Sequence, residues 1–588
     1  LGLVRRGGCG EDDAVQTGHR AVAAAVAALS TLAWVGQPAV AGPVPTAAPT
    51  TAPTPVPEPV TGRRAEATIG LARLMVANPR MTVAAIRATL ADPTTWVQPD
   101  GHMYAVDHFA TAAATTTSAT TRALLPLAQT FLLQSRPGSH HTIYLDFRGG
   151  VTGSTLWNQG APIAYEPFDM DGNVAAFSNA ELGQIQEAWA VVAEDFAPFD
   201  VNVTTKDPGA AAIDRTGPAD LDFGTRAVIT QHNEFSSTCG CSGIAFLGAF
   251  ADVQIHSLLQ PAWIFNSRSP VLAAGHVLGK MDNGHVVGAI ASHEIGHTFG
   301  LHHDGKGAAQ YYSGQGIWSP IMGNGIQAGI SQWSDGDYAS PTNTEDDFAV
   351  IAASGAPLLP DTVGNSALAP TPLPGPPFDV GGLLSPGGDV DVYSVVLPAG
   401  PFTASVLPAE TEPDADLRLT LADSNGTQIA TDDPVAVAST LRWGTVGSAA
   451  TVSATIATPG TYTLSVSGVG NGDPLTTGYS SYGSAGRYRL LSGLPTVTVA
   501  ESGDGTVASA DTTIQCGTTC AAAFVPQSTV TLTATPGVGA AFAGWTGGGC
   551  DAAATGPCSF EVTAPVTVSA PFGPGLPLTL TATNGSVD

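Results

Sequence analysis

The chain has 588 residues, with 49 acidic against 21 basic side chains and a formal net charge of −28. That length exceeds what one hydrophobic core organises, so several domains are expected, and the acidic, base-poor balance argues against nucleic acid and anionic membrane surfaces as partners. Gly (69) and Pro (45) are abundant while apolar residues reach 43%, which favours folded β-rich modules and linkers over helical bundles or general disorder.

In chain order, residues 1–41 read as a signal region. Arg20 precedes an apolar run from Ala21 to Val35, and Ala39-Val40-Ala41 supplies a small-residue cleavage site, so secretion is expected. The run is too short to span a bilayer comfortably, and no later stretch reads as a membrane span. Residues 42–64 form a Pro/Thr linker that cannot build a core. Residues 65–136 carry helical spacing at Ile69, Leu71, Leu74 and Met75, and again at Val83, Ile86 and Leu90; they are expected to form a small helical pro-segment.

Residues 137–354 pattern as one α/β domain. "HTIYLDF" (His141–Phe147) alternates like a strand. "SNAE" predicts a helix start, with Ser178 as cap and Glu181 closing a capping box; Leu182, Ile185, Trp189, Val192 and Phe196 form its apolar stripe. Strands are predicted at Phe199–Thr205, Arg226–Thr230, Gly243–Phe250 and Ala262–Phe265, then helices from Val286 to about Phe299 and from near Thr344. Residues 355–377 read as linker. Residues 378–492 alternate as strands with Asn-Gly and Pro-Gly turns, predicting a β-sandwich. Residues 495–573 form an all-β unit with four cysteines, and residues 576–588 echo its opening, as if a second repeat begins there.

Beyond Cys9, the six remaining cysteines cluster as Cys239/Cys241, Cys516/Cys520 and Cys550/Cys558. In an oxidising compartment these predict local disulfides. Zinc-ribbon spacing competes for the last four, but the surrounding Gly- and Thr-rich strands favour disulfides.

The chemistry concentrates in "SHEIGHTFGLHHDG" (Ser292–Gly305). His293 and His297, four apart on a predicted helix, share one face where a single ion can meet both. Glu294 stands beside that face, able to act on a water. Gly300 suits a left-handed helix end, and the turn it allows can swing His303 to the same ion. Three neutral imidazoles and one open position are what catalytic zinc requires. A structural zinc site would need a fourth protein ligand, for which His302 and Asp304 are the near candidates, and no poised Glu.

This motif, followed nineteen residues after His303 by "SPIMGNG", resembles the metzincin clan of zinc endopeptidases, and the Asp after the third His resembles its reprolysin (adamalysin-like) branch. The resemblance covers about Pro137 to Ser354. It implies a metzincin-like α/β catalytic domain, Zn²⁺ held by His293, His297 and His303, Glu294 as base, and Met322 in a Met-turn beneath the metal. It also implies a substrate edge strand in "GIAFLGAF", with Gly243, Phe246 and Gly248 as contacts, and protein or peptide substrates. A wall from Met322 to Gln332 would shape the pocket for the side chain after the cut. The sandwich resembles bacterial pre-peptidase C-terminal domains, and the Cys-bearing unit resembles internalin-type surface β-repeats, so the β modules are expected to bind cell-surface or extracellular material. The competing reading is a catalytically inactive surface protein that works through those modules. Its discriminator is Glu294, which such a protein would be expected to lose.

Weaker signals remain. "FDMDGN" has Ca²⁺-like spacing at Asp169, Asp171 and Asn173, although a plain Asp-Gly turn explains it better. Asp414, Asp416, Asp432 and Asp433 could also bind Ca²⁺, with a solvated acidic rim as the better expectation.

Overall fold

A computed structural model describes residues 60–109, 124–231, 239–266, 283–326, 328–438, 445–517, 519–551 and 553–575. The signal region, most of the Pro/Thr linker and the second repeat copy lie outside the described residues.

The N-terminal part holds strands β1 (Val60–Thr61), β2 (Thr95–Val97) and β3 (Met103–Asp107) with helices α1 (Arg64–Ile69), α2 (Leu71–Ala77) and α3 (Val83–Thr89). Next come β4 (His141–Asp146), a short hairpin of β5 (Gly150–Val151) and β6 (Ala164–Tyr165), helix α4 (Asn179–Asp195), and β7 (Asn202–Thr204), β8 (Phe223–Thr230), β9 (Gly243–Phe246) and β10 (Ala262–Phe265). Helices α5 (Gly284–Phe299) and α6 (Asp347–Ala353) complete this part.

Eight strands form one sheet in the order β1-β2-β3-β9-β10-β8-β4-β7. The β10, β8, β4 and β7 pairings are parallel, whereas β9 runs antiparallel to β10 and β3 antiparallel to β9. Period-two alternation sorts the side chains of β9. Ile244 and Phe246 join a core with Tyr104, Trp157, Val228 and Trp263, which leaves Gly243 and Ala245 turned toward α5. On that other face α4 and α5 bury Ile185, Val192, Phe196, Val287, Ile290, Ile295 and Phe299 against Ile143, Leu145 and Ile229. The two helices cross closely because Gly288 has no side chain; a Cβ there would lie 2.6 Å from that of Val191.

The capping box forms: Ser178 Oγ accepts from Glu181 N, and the Glu181 carboxylate accepts from Ser178 N. Three expectations change. Residues 65–136 are not simply helical, because β2 and β3 extend the main sheet, and β1 begins inside the stretch read as linker. The strand expected over Gly243–Phe250 stops at Phe246; Gly248 has φ 70° and starts a 3₁₀ turn at Ala249–Ala251. Residues 355–377 are not a free linker: Thr371–Pro372 pairs with the sandwich, and Val363 and Leu373 pack on its core.

The sandwich has a five-stranded sheet (Thr371–Pro372, Val390–Leu397, Gly460–Gly468, Leu417–Ala422, Gln428–Asp432) and a four-stranded sheet (Asp379–Leu384, Gly486–Ser492, Gly400–Pro408, Ala450–Ile456). Tyr393, Val395, Leu419 and Leu464 from the first meet Leu384, Val406, Val452 and Leu490 from the second in one core. The last unit is likewise two small sheets around Val499, Leu532, Trp545 and Val568. Disulfides join Cys239 to Cys241, Cys516 to Cys520 and Cys550 to Cys558, the local pairing the clustering predicted.

Candidate metal centre

Helix α5 is stopped at both ends by its own sequence. Asn283 caps it by accepting from His285 N and Val286 N, and Gly300 ends it at φ 104° with its N–H turned back to Gly296 and His297 carbonyls. The left-handed glycine reverses the chain and returns His303 to the helix. His297 Nε2 then lies 3.1 Å from His293 Nε2 and 3.0 Å from His303 Nε2.

The tautomers follow from the other ring nitrogens. His293 Nδ1 donates to Ile321 O at 2.8 Å, His297 Nδ1 to Leu301 O at 2.8 Å, and His303 Nδ1 to the Asp92 carboxylate at 2.8 Å. Carbonyls and carboxylates only accept, so each Nδ1 carries a proton, which leaves each Nε2 able to present a lone pair to a cation. Three lone pairs pointed at one place repel unless a cation stands between them. A tetrahedral zinc with bonds of about 2.0–2.1 Å separates its donors by roughly 3.3 Å, close to the observed spacing. The residues therefore fit zinc.

A fourth donor comes from β3. Asp107 Oδ1 is 2.8 Å from His303 Nε2, and Oδ2 is 3.2 Å from His297 Nε2 and 3.6 Å from His293 Nε2. Tyr311 donates to Asp107 Oδ1 at 2.8 Å. Burial works against charge here, yet His303 and His297 hold the Asp107 carboxyl well below its usual range. Burial likewise opposes charge on His303, but Asp107 and Asp92 outweigh it and raise its pKa to about 10, whereas burial pushes His293 down to about 3. Without an ion, the extra proton on His303 balances the Asp107 carboxylate, at the place a cation would take.

Glu294 is fully buried beside it. Burial pushes its carboxyl well above the ordinary range, and the neighbouring Asp107 carboxylate pushes the same way. Gly243 makes the space: a Cβ there would lie 1.9 Å from Glu294 Oε1. Met322 is buried under the helix, where a Cβ on Gly296 would lie 2.6 Å from its sulfur. Phe246 does not face the cluster; it packs beyond the sheet against Trp157, with ring centroids 4.1 Å apart. Gly248 lies past the strand end, where its N–H donates to His297 O at 3.0 Å. It serves as a helix-end contact and not as a residue of the expected strand. Neither His302 nor Asp304 joins the donor group. His302 bonds Glu345 and Thr89, and burial first, then Glu345, raises Asp304 to about 8.

A cavity is lined by Phe109, Ala289, His293, Ile321, Gly323, Gly325, Ile326 and Ser331. Gly323, Gly325, Ile326 and Ser331 come from the stretch expected from Met322 to Gln332, and the rest of the wall comes from Ile321, helix α5 and Phe109. Sequence reasoning missed Asp92, Asp107, Phe109 and Tyr311. The available signal was the strand-like run "MYAVDHF", which ends its alternation on an acid.

The other acidic groups resolve differently. Asp169 Oδ1 accepts from the backbone N–H of Asp171, Gly172 and Asn173, the turn geometry expected of Asp-Gly, although Asp169, Asp171 and Glu181 also stand close enough to share a cation, as do Asp361, Asp389 and Asp391. Asp414 and Asp416 are only 2% and 1% exposed, which overturns the solvated rim for these two: they are buried where the sandwich meets the α/β part and its own loop at Tyr479, whereas Asp432 is half-buried and Asp433 exposed.

Comparison with known proteins concerns the C-terminal half. The profile of the bacterial pre-peptidase C-terminal domain matches residues 389–468, and that of the divergent InlB B-repeat domain matches residues 495–575. No curated protein matches the chain. Among solved structures, the pre-peptidase C-terminal domain of a collagenase from Bacillus anthracis is similar at 20% identity, covering 23% of this chain and 97% of that one, with a TM-score of 0.15. No helix among the described residues is long and apolar enough to cross a membrane. The C-terminal half therefore carries a pre-peptidase C-terminal domain and a divergent InlB B-repeat domain, two modules that fit an extracellular or cell-surface protein.

Proposed function

We propose that the chain is a secreted zinc-dependent endopeptidase of the metzincin type, with His293, His297 and His303 as metal ligands and Glu294 as general base. The observation that carries this reading is the convergence of three Nε2 lone pairs, each fixed by an Nδ1–H donated elsewhere, with a buried carboxylate alongside. A pre-peptidase C-terminal domain supports a protease context.

A bound zinc ion would supply Lewis acidity toward a peptide carbonyl and a water. The chain's own residues do the rest. Glu294 takes a proton from the attacking water and delivers it to the departing amine nitrogen, so the C–N bond breaks as the C–O bond forms and a carboxylate and an amine result. Its raised affinity for protons suits both halves of that transfer. Ile321 O, Leu301 O and Asp92 keep the imidazoles oriented. The expected edge strand β9 is paired on both sides, with β3 and β10, so it would hold an extended peptide by main-chain hydrogen bonds only where β3 gives way. The alternative of an inactive surface protein lacks a reason to keep Glu294 buried against Gly243.

The test is metal analysis of the purified chain together with digestion of a proteome-derived peptide pool, with and without a zinc chelator. The reading expects about one zinc per chain and chelator-sensitive cleavage. A chain that retains no zinc and cleaves nothing in any form would contradict it.

A further inference from the structure

The cleft described above is filled by the chain itself. Strand β3 lies antiparallel along β9 with Tyr104 opposite Phe246, Ala105 opposite Ala245, Val106 opposite Ile244 and Asp107 opposite Gly243. Leu247 N donates to Met103 O at 3.0 Å and Ser242 N to Asp107 O at 2.6 Å. Without β3, β9 would be the edge of the sheet, paired only with β10. An added strand is how an extended peptide is held by main-chain bonds, so β3 occupies the place of such a peptide. The register does the aiming: the residue opposite Gly243 stands over Glu294 and the three imidazoles.

Two side chains anchor the segment. Past Asp107, Phe109 N donates to Ser242 Oγ at 3.0 Å. The Phe109 ring meets His293 edge-on at 4.9 Å and forms one wall of the cavity that Ala289, Ile321, Gly323 and Ile326 also line. On the other side, the Tyr104 ring packs edge-on against Trp157 at 5.3 Å and Phe246 at 5.6 Å. Both are nearly fully buried, Phe109 at 1% and Tyr104 at 5% exposure.

We propose that Tyr104–Phe109 is a built-in peptide occupant of the substrate cleft, anchored by Asp107 as fourth donor to the metal, and that it reports what the cleft accepts: extended peptides with an aromatic or large aliphatic side chain one or two residues after the cut. The proposal rests on the zinc-peptidase reading. It makes the folded chain latent through a carboxylate. The carboxylate stands within 2.8–3.6 Å of all three ring nitrogens, where a substrate carbonyl and water would have to enter, so the occupant blocks the site rather than being cut. The restraint is intramolecular, and effective concentrations in the millimolar range make such a plug hard to displace.

The experiment uses the full chain, unsubstituted and as Asp107→Ala and Asp107→Asn, each loaded with Co²⁺ and with Zn²⁺. The visible absorption of the cobalt forms reads the ligand set, and digestion of a proteome-derived peptide pool by the zinc forms reads rate and sequence preference. The proposal expects a changed cobalt spectrum in both variants, cleavage at least about tenfold faster than in the unsubstituted chain, and products beginning with an aromatic or large aliphatic residue in the first or second position. Asp107→Asn keeps the side chain's shape and carries the test if Asp107→Ala does not fold. Identical spectra and rates, or faster cleavage without that preference, would overturn the proposal. Absence of cobalt binding in all three proteins would instead overturn the zinc reading, and the proposal with it.

Discussion

Helix α5 carries two buried clusters of ionisable groups on different sides, and they solve burial in different ways. On one side three neutral imidazoles, Asp107 and Glu294 converge on a point. On another, Ser292 Oγ donates to Asp195, His285 Nδ1 lies 2.7 Å from the Glu412 carboxylate, and Arg487 of the sandwich bonds Glu194 at 3.0 Å and Ala193 O at 2.7 Å. This second cluster joins the α/β part to the sandwich and is neutralised from within. Glu412 faces His285, where burial opposes charge but that carboxylate outweighs it and raises the pKa. Asp195 and Asp414 are pushed well above the carboxylate range, by burial and by neighbouring acids. Buried charge persists only when paired or protonated. In the first cluster Asp107 faces His303 at 2.8 Å and His297 at 3.2 Å, a pairing that the proposed cation would take over.

The comparison breaks if variants on the two sides behave alike. The largest effect is expected for His297→Ala, made in the Asp107→Ala background so that activity is visible: zinc is lost on dialysis and peptide cleavage with it, while the urea midpoint of the sandwich stays in place. Gly243→Ala in the same background sharpens the point further. Its Cβ would occupy the position of Glu294 Oε1, so the base must move; we expect zinc to be retained and kcat to fall by about 10²-fold, the scale of misplaced acid–base catalysis. On the interface side, Arg487→Ala leaves the buried Glu194 without its charged partner. Because the guanidinium is 41% exposed, the cost is held to about 1–2 kcal/mol after allowing for solvent screening, read as a lower urea midpoint with zinc content unchanged.

A smaller effect is the pH dependence of the interface. Asp195, Asp414 and His285 all have native pKa values above their unfolded ones, so the folded state binds the extra protons. Stability from these groups is complete below about pH 4 for the acids and about pH 6.5 for the histidine, and declines as pH rises toward the native values. Thermal melts from about pH 5 to about pH 8 should therefore fall, and Glu412→Gln should flatten the slope. Smallest of all, a mercurial thiol reagent should change activity by less than about twofold, because every cysteine among the described residues is in a disulfide.

The metal motif was legible because it is local. Helical spacing aligns His293 with His297, and a glycine end returns His303, all within one segment. Asp92 and Asp107 were not legible because they arrive by strand pairing from about 200 residues away; the His303–Asp92 bond spans 211 positions. Gly248 was misplaced because an apolar run with glycine reads equally as a continuing strand or as a left-handed turn, and only the contact to His297 O decides. Asp414 and Asp416 looked solvated because composition does not reveal which surfaces meet. The sandwich itself was readable from period two and its turns, as in Leu417–Ala422, where Leu417, Leu419 and Leu421 are buried and Arg418 is exposed.

The measurement that bears most directly on the account is the hydrolysis rate of zinc-loaded Asp107→Ala compared with Asp107→Ala/Glu294→Gln. The substitution deletes the proton acceptor and keeps the side chain's shape. The account predicts equal zinc content and a rate at least about 10²-fold lower in the double variant. Equal rates would contradict Glu294 as the base and with it the proposed peptidase mechanism.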